Sequence, residues 1–175
     1  DHVLSPEVLS KRDFLRVKEF LFKLIQDETQ PLDTRRFAVE AISFLDGPDV
    51  TEVIQQAYEH PDLAMKVSAI FAMGRNASRI WAPILLKELE SLVPELKLEA
   101  TKAAGESYLK EAYPLLKRIA EQETGDLRLE AIWALSKTGV PEARSLLERY
   151  AESDDPDVHE IASVALEEMD ELGLA

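Results

Sequence analysis

Residues 126–136 read DLRLEAIWALS, and three of them decide how the rest of the chain is read. Ala131, Ala134 and Leu135 stand at i, i+3 and i+4, the spacing of one face of a helix. Stepping 31 residues in either direction lands on the same alanine pair each time: Ala38 and Ala41, Ala69 and Ala72, Ala100 and Ala103, Ala162 and Ala165. A fixed period of this length marks stacked units, each too small to bury its own apolar face. Alanine there lets neighbouring helices approach closely. Ser43, Gly74, Gly105 and Ser136 keep the fifth position past the first alanine small as well, and only Glu167 breaks that slot.

A second apolar set returns at the same interval: Val50, Val53 and Ile54; Trp81, Ile84 and Leu85; Ala112, Leu115 and Leu116; Ala143, Leu146 and Leu147. Each unit is therefore expected to hold two amphipathic helices. The first helices are placed near 33–45, 63–75, 95–107, 126–137 and 157–170, and the second near 49–59, 79–92, 109–122 and 141–152. Turn and helix-start signals, TQPLD, EHPD, LVPE, ETGD and DDPD, separate the units. Pro141 suits a first helical position, and Pro83 and Pro114 fall near the start of their helices, where a missing N–H is tolerated.

One domain is expected over 1–175, with units at 32–62, 63–94, 95–125 and 126–156. A half unit at 157–175 closes on acidic EEMDEL. The first 31 residues form a capping region, as the ends of stacked arrays do. It holds a strongly apolar helix of second-helix type at 14–25, FLRVKEFLFKLI, after a short SPEVLS that starts a helical turn.

A composition of 46% hydrophobic and 31% charged residues suits a folded domain and not a disordered segment. No apolar run of about 18 residues and no charged-then-apolar leader occurs, so neither a membrane partner nor a secretory signal is expected. The lack of cysteine excludes disulfides and thiolate metal sites and suits a cytoplasmic protein. A net charge of −14 argues against nucleic acid, whose phosphates require clustered Lys and Arg.

With helix pairs at this period, the chain resembles the HEAT-like repeats, specifically the short bacterial kind first noted in phycobilisome lyases. That pattern runs Asp, apolar, Arg, two free positions, then Ala-x-x-Ala-Leu-Gly. It stands here as DLRLEAIWALS at 126–136, as ELKLEATKAAG at 95–105 and, with Ala64 in place of the acid, as AMKVSAIFAMG at 64–74. The resemblance covers nearly everything from about residue 32 onward. It implies an all-α, right-handed, armadillo-like solenoid whose second helices line the concave groove. A scaffold of this kind serves many roles, so function must come from its surface.

Aligning the units turns the sequence into columns. One is basic in all five units, Arg35, Lys66, Lys97, Arg128 and His159. Two residues before it stand Asp33, Ala64, Glu95, Asp126 and Asp157, acids that complement the exposed N–H groups and dipole of a helix start. A ladder fixing the stacking of units is the plainer reading of this column, and an anion-binding row the sharper one. On the second helices Gln56, Lys87, Arg118 and Arg149 are followed three residues later by Glu59, Glu90, Glu121 and Glu152. With Lys117 and Arg144 nearby, they form either a solvated salt-bridge face or a basic stripe in the groove. Phe71 and Trp133 share a column with Glu40, Lys102 and Val164, and they, like Trp81 and Tyr113, serve packing or recognition.

Catalytic readings find little to hold. Deoxyhypusine hydroxylases, another HEAT-like family, carry repeated His-Glu pairs around two irons, whereas only His159-Glu160 has that form here. No HExxH, nucleophile elbow or phosphate loop occurs. The expected function is a non-catalytic, cofactor-free scaffold that binds another protein or an acidic peptide segment. Lys87, Lys117, Arg118 and Arg149 would meet acidic groups, and Tyr113 would supply apolar contact. The alternative is an accessory or lyase-type subunit, phycobilin-lyase-like, that binds a small molecule or a chromophore-protein.

Overall fold

The computed structural model describes residues 11–173, and among them every regular element is helical. The helix read into SPEVLS lies outside these residues. The extra N-terminal helix is α1 (Lys11–Gln26). First and second helices then alternate as α2 (Leu32–Ile42), α3 (Pro48–Glu59), α4 (Leu63–Asn76), α5 (Ala82–Glu88), α6 (Pro94–Glu106), α7 (Tyr113–Gln122), α8 (Gly125–Lys137), α9 (Pro141–Ala151) and α10 (Pro156–Leu172).

Local chemistry sets these boundaries. Proline occupies the first or second position of α3, α5, α6, α7, α9 and α10, where no helical partner exists for its missing N–H. Asp33, Glu95, Asp126 and Asp157 fall in the first turns of α2, α6, α8 and α10. In α4, where Ala64 takes the acidic slot, Asp62 caps the helix instead and accepts a hydrogen bond from the Ala64 N–H at 2.8 Å. The second helices expected at 79–92 and 109–122 are each shorter and broken. A 3-10 turn at Arg79–Trp81 precedes α5 and another at Lys110–Ala112 precedes α7. Pro83 and Pro114 follow these turns and oblige the α-helix to start beside them.

Packing follows the columns. The first alanine of every unit is buried, as are Ala72, Ala103, Ala134 and Ala165. First helices lie side by side, α2 on α4, α4 on α6, α6 on α8 and α8 on α10. The second alanine faces the small slot of the preceding first helix: a Cβ added to Gly74 would sit 2.7 Å from the Ala103 Cα, and one added to Gly105 would sit 3.1 Å from the Ala134 Cβ. Ala41 is the exception and is exposed. It would need a first helix ahead of α2, and α1 packs on α2 as a second-type helix does. Each second helix packs mainly on the first helix that follows it, inserting Val53, Ile54, Leu85, Leu116, Leu146 and Leu147 into one core that continues to Met169 on α10. Among the described residues no helix is long and apolar enough to cross a membrane.

Candidate functional site

The basic side chains of the second helices are partly answered by the protein's own side chains. Lys87 on α5 is largely exposed at its tip. It donates to the Tyr58 hydroxyl at 2.8 Å and pairs with Glu88 at 3.1 Å. Glu88 itself is only 5% exposed and accepts a 2.5 Å hydrogen bond from Tyr58. Burial pushes the Glu88 carboxyl up, but the bonds from Tyr58 and Lys87 and the lysine charge outweigh it and hold the group below its ordinary value. The Tyr58 hydroxyl is pushed up by the same burial and by the carboxylate beside it. Arg118 on α7 pairs with Glu90, one unit back, at 2.8 Å. Lys117 pairs loosely with Glu121 at 3.8 Å. Arg149 on α9 is exposed and closes no ion pair among the described residues.

The charge pairs three residues apart on the second helices do not form as spaced. Arg118 turns to Glu90 and leaves Glu121 to Lys117, while Glu59 accepts from Gln55 at 2.7 Å and Gln56 donates to Glu52 at 3.1 Å. A neighbouring unit offers Arg118 a better-placed carboxylate than its own helix does. Tyr113 is half-buried against the core, and Trp81 is buried, its indole N–H donating to Asn76 at 3.0 Å.

The basic column of the first helices ties elements together at their ends. Arg35 donates to the Ile25 carbonyl at 3.0 Å, and the His159 Nδ1 bonds to the Ala151 carbonyl. Both acceptors belong to the last turn of the preceding helix, where carbonyls lack helical partners and the dipole favours a donor. Lys97 pairs with Glu123 at 2.8 Å, and Arg128 lies 3.8 Å from Asp155, the residue that caps α10. His159 therefore continues a structural ladder. Among the described residues no group of three or more His, Asp or Glu side chains is arranged to hold a metal.

A second candidate lies on the outer face of the first helices. Two adjoining clefts, of about 550 and 630 Å³, share Lys102, Glu130 and Trp133. The first is bordered by Arg75, Glu106, Tyr108 and Lys137, and the second is floored by Leu129, Ile161 and Val164. Trp133 and Phe71, left open between packing and recognition, are half-buried here. Arg75 lies over Phe71 and Phe44, and the Lys137 ammonium stands 4.8 Å from the Trp133 ring centre. Burial pushes the carboxyls of Glu99 and Glu130 up, against the opposing charge of Lys102. Burial pushes the Lys137 ammonium down. None of the five side chains singled out from the sequence lines these clefts.

Sequence reasoning missed Tyr108, Glu99 and Glu130. The structure shows what the sequence does not announce: Ala77, Tyr108 and Gly139 stand 31 apart and all have positive φ, 52°, 52° and 61°, at the turn after a first helix. Tyrosine is the one bulky member of that set.

Residues 82–167 match a family model described as HEAT repeats. No curated protein matches the chain in sequence. Among solved structures, the complex of CpcE and CpcF of phycocyanin lyase from Nostoc sp. PCC7120 is similar over 93% of this chain and 77% of that one, with 17% identity and a TM-score of 0.60. Human deoxyhypusine hydroxylase in complex with glycerol is similar over 90% of this chain and 75% of that one, with 18% identity and a TM-score of 0.51. Identities this low speak for the shared fold.

Proposed function

The chain carries HEAT repeats and the HEAT-repeat fold, and from that premise we propose that it is a non-catalytic scaffold binding an acidic segment of another protein along its second helices. The observation that carries this reading is the row of basic side chains on successive second helices, Lys87 on α5, Lys117 and Arg118 on α7 and Arg149 on α9, in a molecule of net charge −14. The partners of Lys117 and Arg118 do not block the row, and Lys87 keeps an exposed tip while it holds the buried Glu88. Exposed ion pairs such as Arg118–Glu90 and Lys117–Glu121 contribute about 0–1 kcal/mol each, so a partner's carboxylates can replace them at little loss. Among the described residues Arg149 has no such pair to give up.

The continuous core beneath the row supplies the second requirement. Helices packed on one another hold the backbone of the row in place, so binding orders side chains only, which lowers the cost of association. Tyr113, half-buried at the start of the helix that carries Lys117 and Arg118, adds apolar area. The similarity to a complex of two proteins, CpcE and CpcF, supports a protein as the partner class. Reversing the charge of Arg118 and Arg149 together, as Arg118→Glu with Arg149→Glu, weakens capture of the partner and leaves thermal unfolding nearly unchanged. Undiminished capture by the folded double variant rejects the stripe.

A further inference from the structure

The N-terminal helix α1 is apolar on two sides. Leu21, Phe22 and Ile25 pack on the core. Val17, Phe20 and Leu24 stand at i, i+3 and i+7, the spacing of a helix–helix seam, and their side is centred about 110° round the helix from the first. Val17 is 46% exposed and Phe20 60%. In later units a second helix also touches the first helix of its own unit, as α3 touches α2 and α9 touches α8. Among the described residues no such helix stands beside α1.

The same end of the molecule bares α2. Ala72, Ala103, Ala134 and Ala165 are buried, and Ser68, in the column of Phe37, donates to Glu40 on the helix before it. Ala41 is exposed in the first of these columns, and Phe37 is 52% exposed in the second. Aromatic side chains left half exposed present about 100 Å² each, so Phe14, Val17, Phe20 and Phe37 together offer about 350 Å² of apolar surface. A patch of that extent is often a contact surface. Two of them supply about 700 Å², and at the usual apolar share of an interface the whole contact reaches about 1,200 Å², the lower end of the specific range.

Charge favours a second copy as the occupant. Residues 11–46 carry seven Lys or Arg against seven Asp or Glu, whereas residues 47–175 carry 13 against 25. Two copies meeting elsewhere bring like charges together, and this end lets them approach without that repulsion. Head-to-tail stacking is opposed at the other end. There α10 holds six acids and no Lys or Arg, and Glu167 fills the slot through which Gly74 and Gly105 admit the next first helix.

We propose that two copies of this chain pair through their N-terminal ends, α1 against α1 in antiparallel sense, as a closed two-fold dimer. Val17 of each copy meets Phe20 of the other, and Phe14 and Phe37 flank the seam. Asp13 and Lys23 stand near opposite ends of the seam, so antiparallel pairing sets each beside the other's counterpart. The basic row on α5, α7 and α9 lies on other elements, and neither proposal depends on the other.

Sedimentation velocity of the full chain over about 1 to 100 μM tests the pairing, because a contact of this size supports a dissociation constant in the micromolar range. The mass is expected to rise from one chain to two and to stop there. Phe20→Glu with Phe37→Glu, both at exposed positions, raises the midpoint by about tenfold or more and leaves the unfolding temperature of the dilute protein unchanged. The chain lacks cysteine, so single cysteines give a second reading. Oxidation joins two chains of Val17→Cys at concentrations where Val164→Cys on α10, at a site equally exposed at 44%, stays unjoined. A mass of one chain throughout, as when residues 1–10 or a different protein take the seam, overturns the proposal. So does assembly beyond two chains, a midpoint indifferent to the double variant, or equal joining of the two cysteine variants.

Discussion

Ala77 and Tyr108 hold the same left-handed turn position in successive units, and Gly139 holds it in the third. A left-handed backbone costs a non-glycine residue about 1–2 kcal/mol, and part of that gain is returned by the greater freedom of glycine in the unfolded chain. Ala77→Gly is therefore expected to stabilise the protein by about 0.5–1 kcal/mol, read as a higher denaturant midpoint. The carboxyls of Glu99 and Glu130 give a second prediction. Burial holds both above their ordinary value, opposed by Lys102 and reinforced by Glu106, and at Glu99 also by Glu40 and Glu130. Between the unfolded and the folded pKa the native state binds the extra proton, so stability falls as pH rises through that window. Glu130→Gln should raise the unfolding temperature at neutral pH, with the gain fading once pH drops below the ordinary carboxyl value.

His159 shows what was legible at this scale. Its place in a basic column identified a stacking role from the sequence, and the bond to the Ala151 carbonyl repeats what Arg35 does at Ile25. His159→Arg is expected to leave the unfolding temperature unchanged or slightly raised. Tyr108, by contrast, was not legible, because a φ angle belongs to the turn geometry and nothing in the residue type announces it.

Between elements the controlling feature is the contact of glycine with alanine on adjacent first helices. At Gly74 an added Cβ meets the Ala103 backbone at 2.7 Å, which cannot yield without separating α4 from α6. At Gly105 the tightest contact is 3.1 Å, to a methyl group, and a small shift relieves it. Alanine is favoured over glycine within a helix by about 1 kcal/mol, while overpacking costs about 1–3 kcal/mol. Gly74→Ala should therefore destabilise by about 1–2 kcal/mol and Gly105→Ala should be close to neutral, as urea unfolding of the two variants would show. The alanine columns made this layer readable from the period alone. Two details escaped it for physical reasons: Pro83 and Pro114 divide their helices by steric conflict with the preceding turn, and Ala41 follows the period yet stays exposed because among the described residues no first helix packs ahead of α2.

At the scale of the whole molecule, a 31-residue rhythm places like residues on like surfaces, so any stripe of side chains is both a packing consequence and a candidate contact. The pairing of Arg118 with Glu90 across units illustrates the limit of column reading: the column names the residues that share a face, but the partner of each is chosen by side-chain reach between helices. Lys87, Lys117, Arg118 and Arg149 remain on the second helices as a row of exchangeable positive charge. The clefts with Trp133 and Lys102 lie on the first. Carbodiimide cross-linking, which joins lysine amines to carboxylates, distinguishes the two surfaces most directly in the complex with the captured partner. The scaffold account predicts cross-links from Lys87 and Lys117 to acidic segments of the partner, lost in the Arg118→Glu, Arg149→Glu variant; cross-links confined to Lys102 and Lys137, or capture of no protein at all, would contradict it.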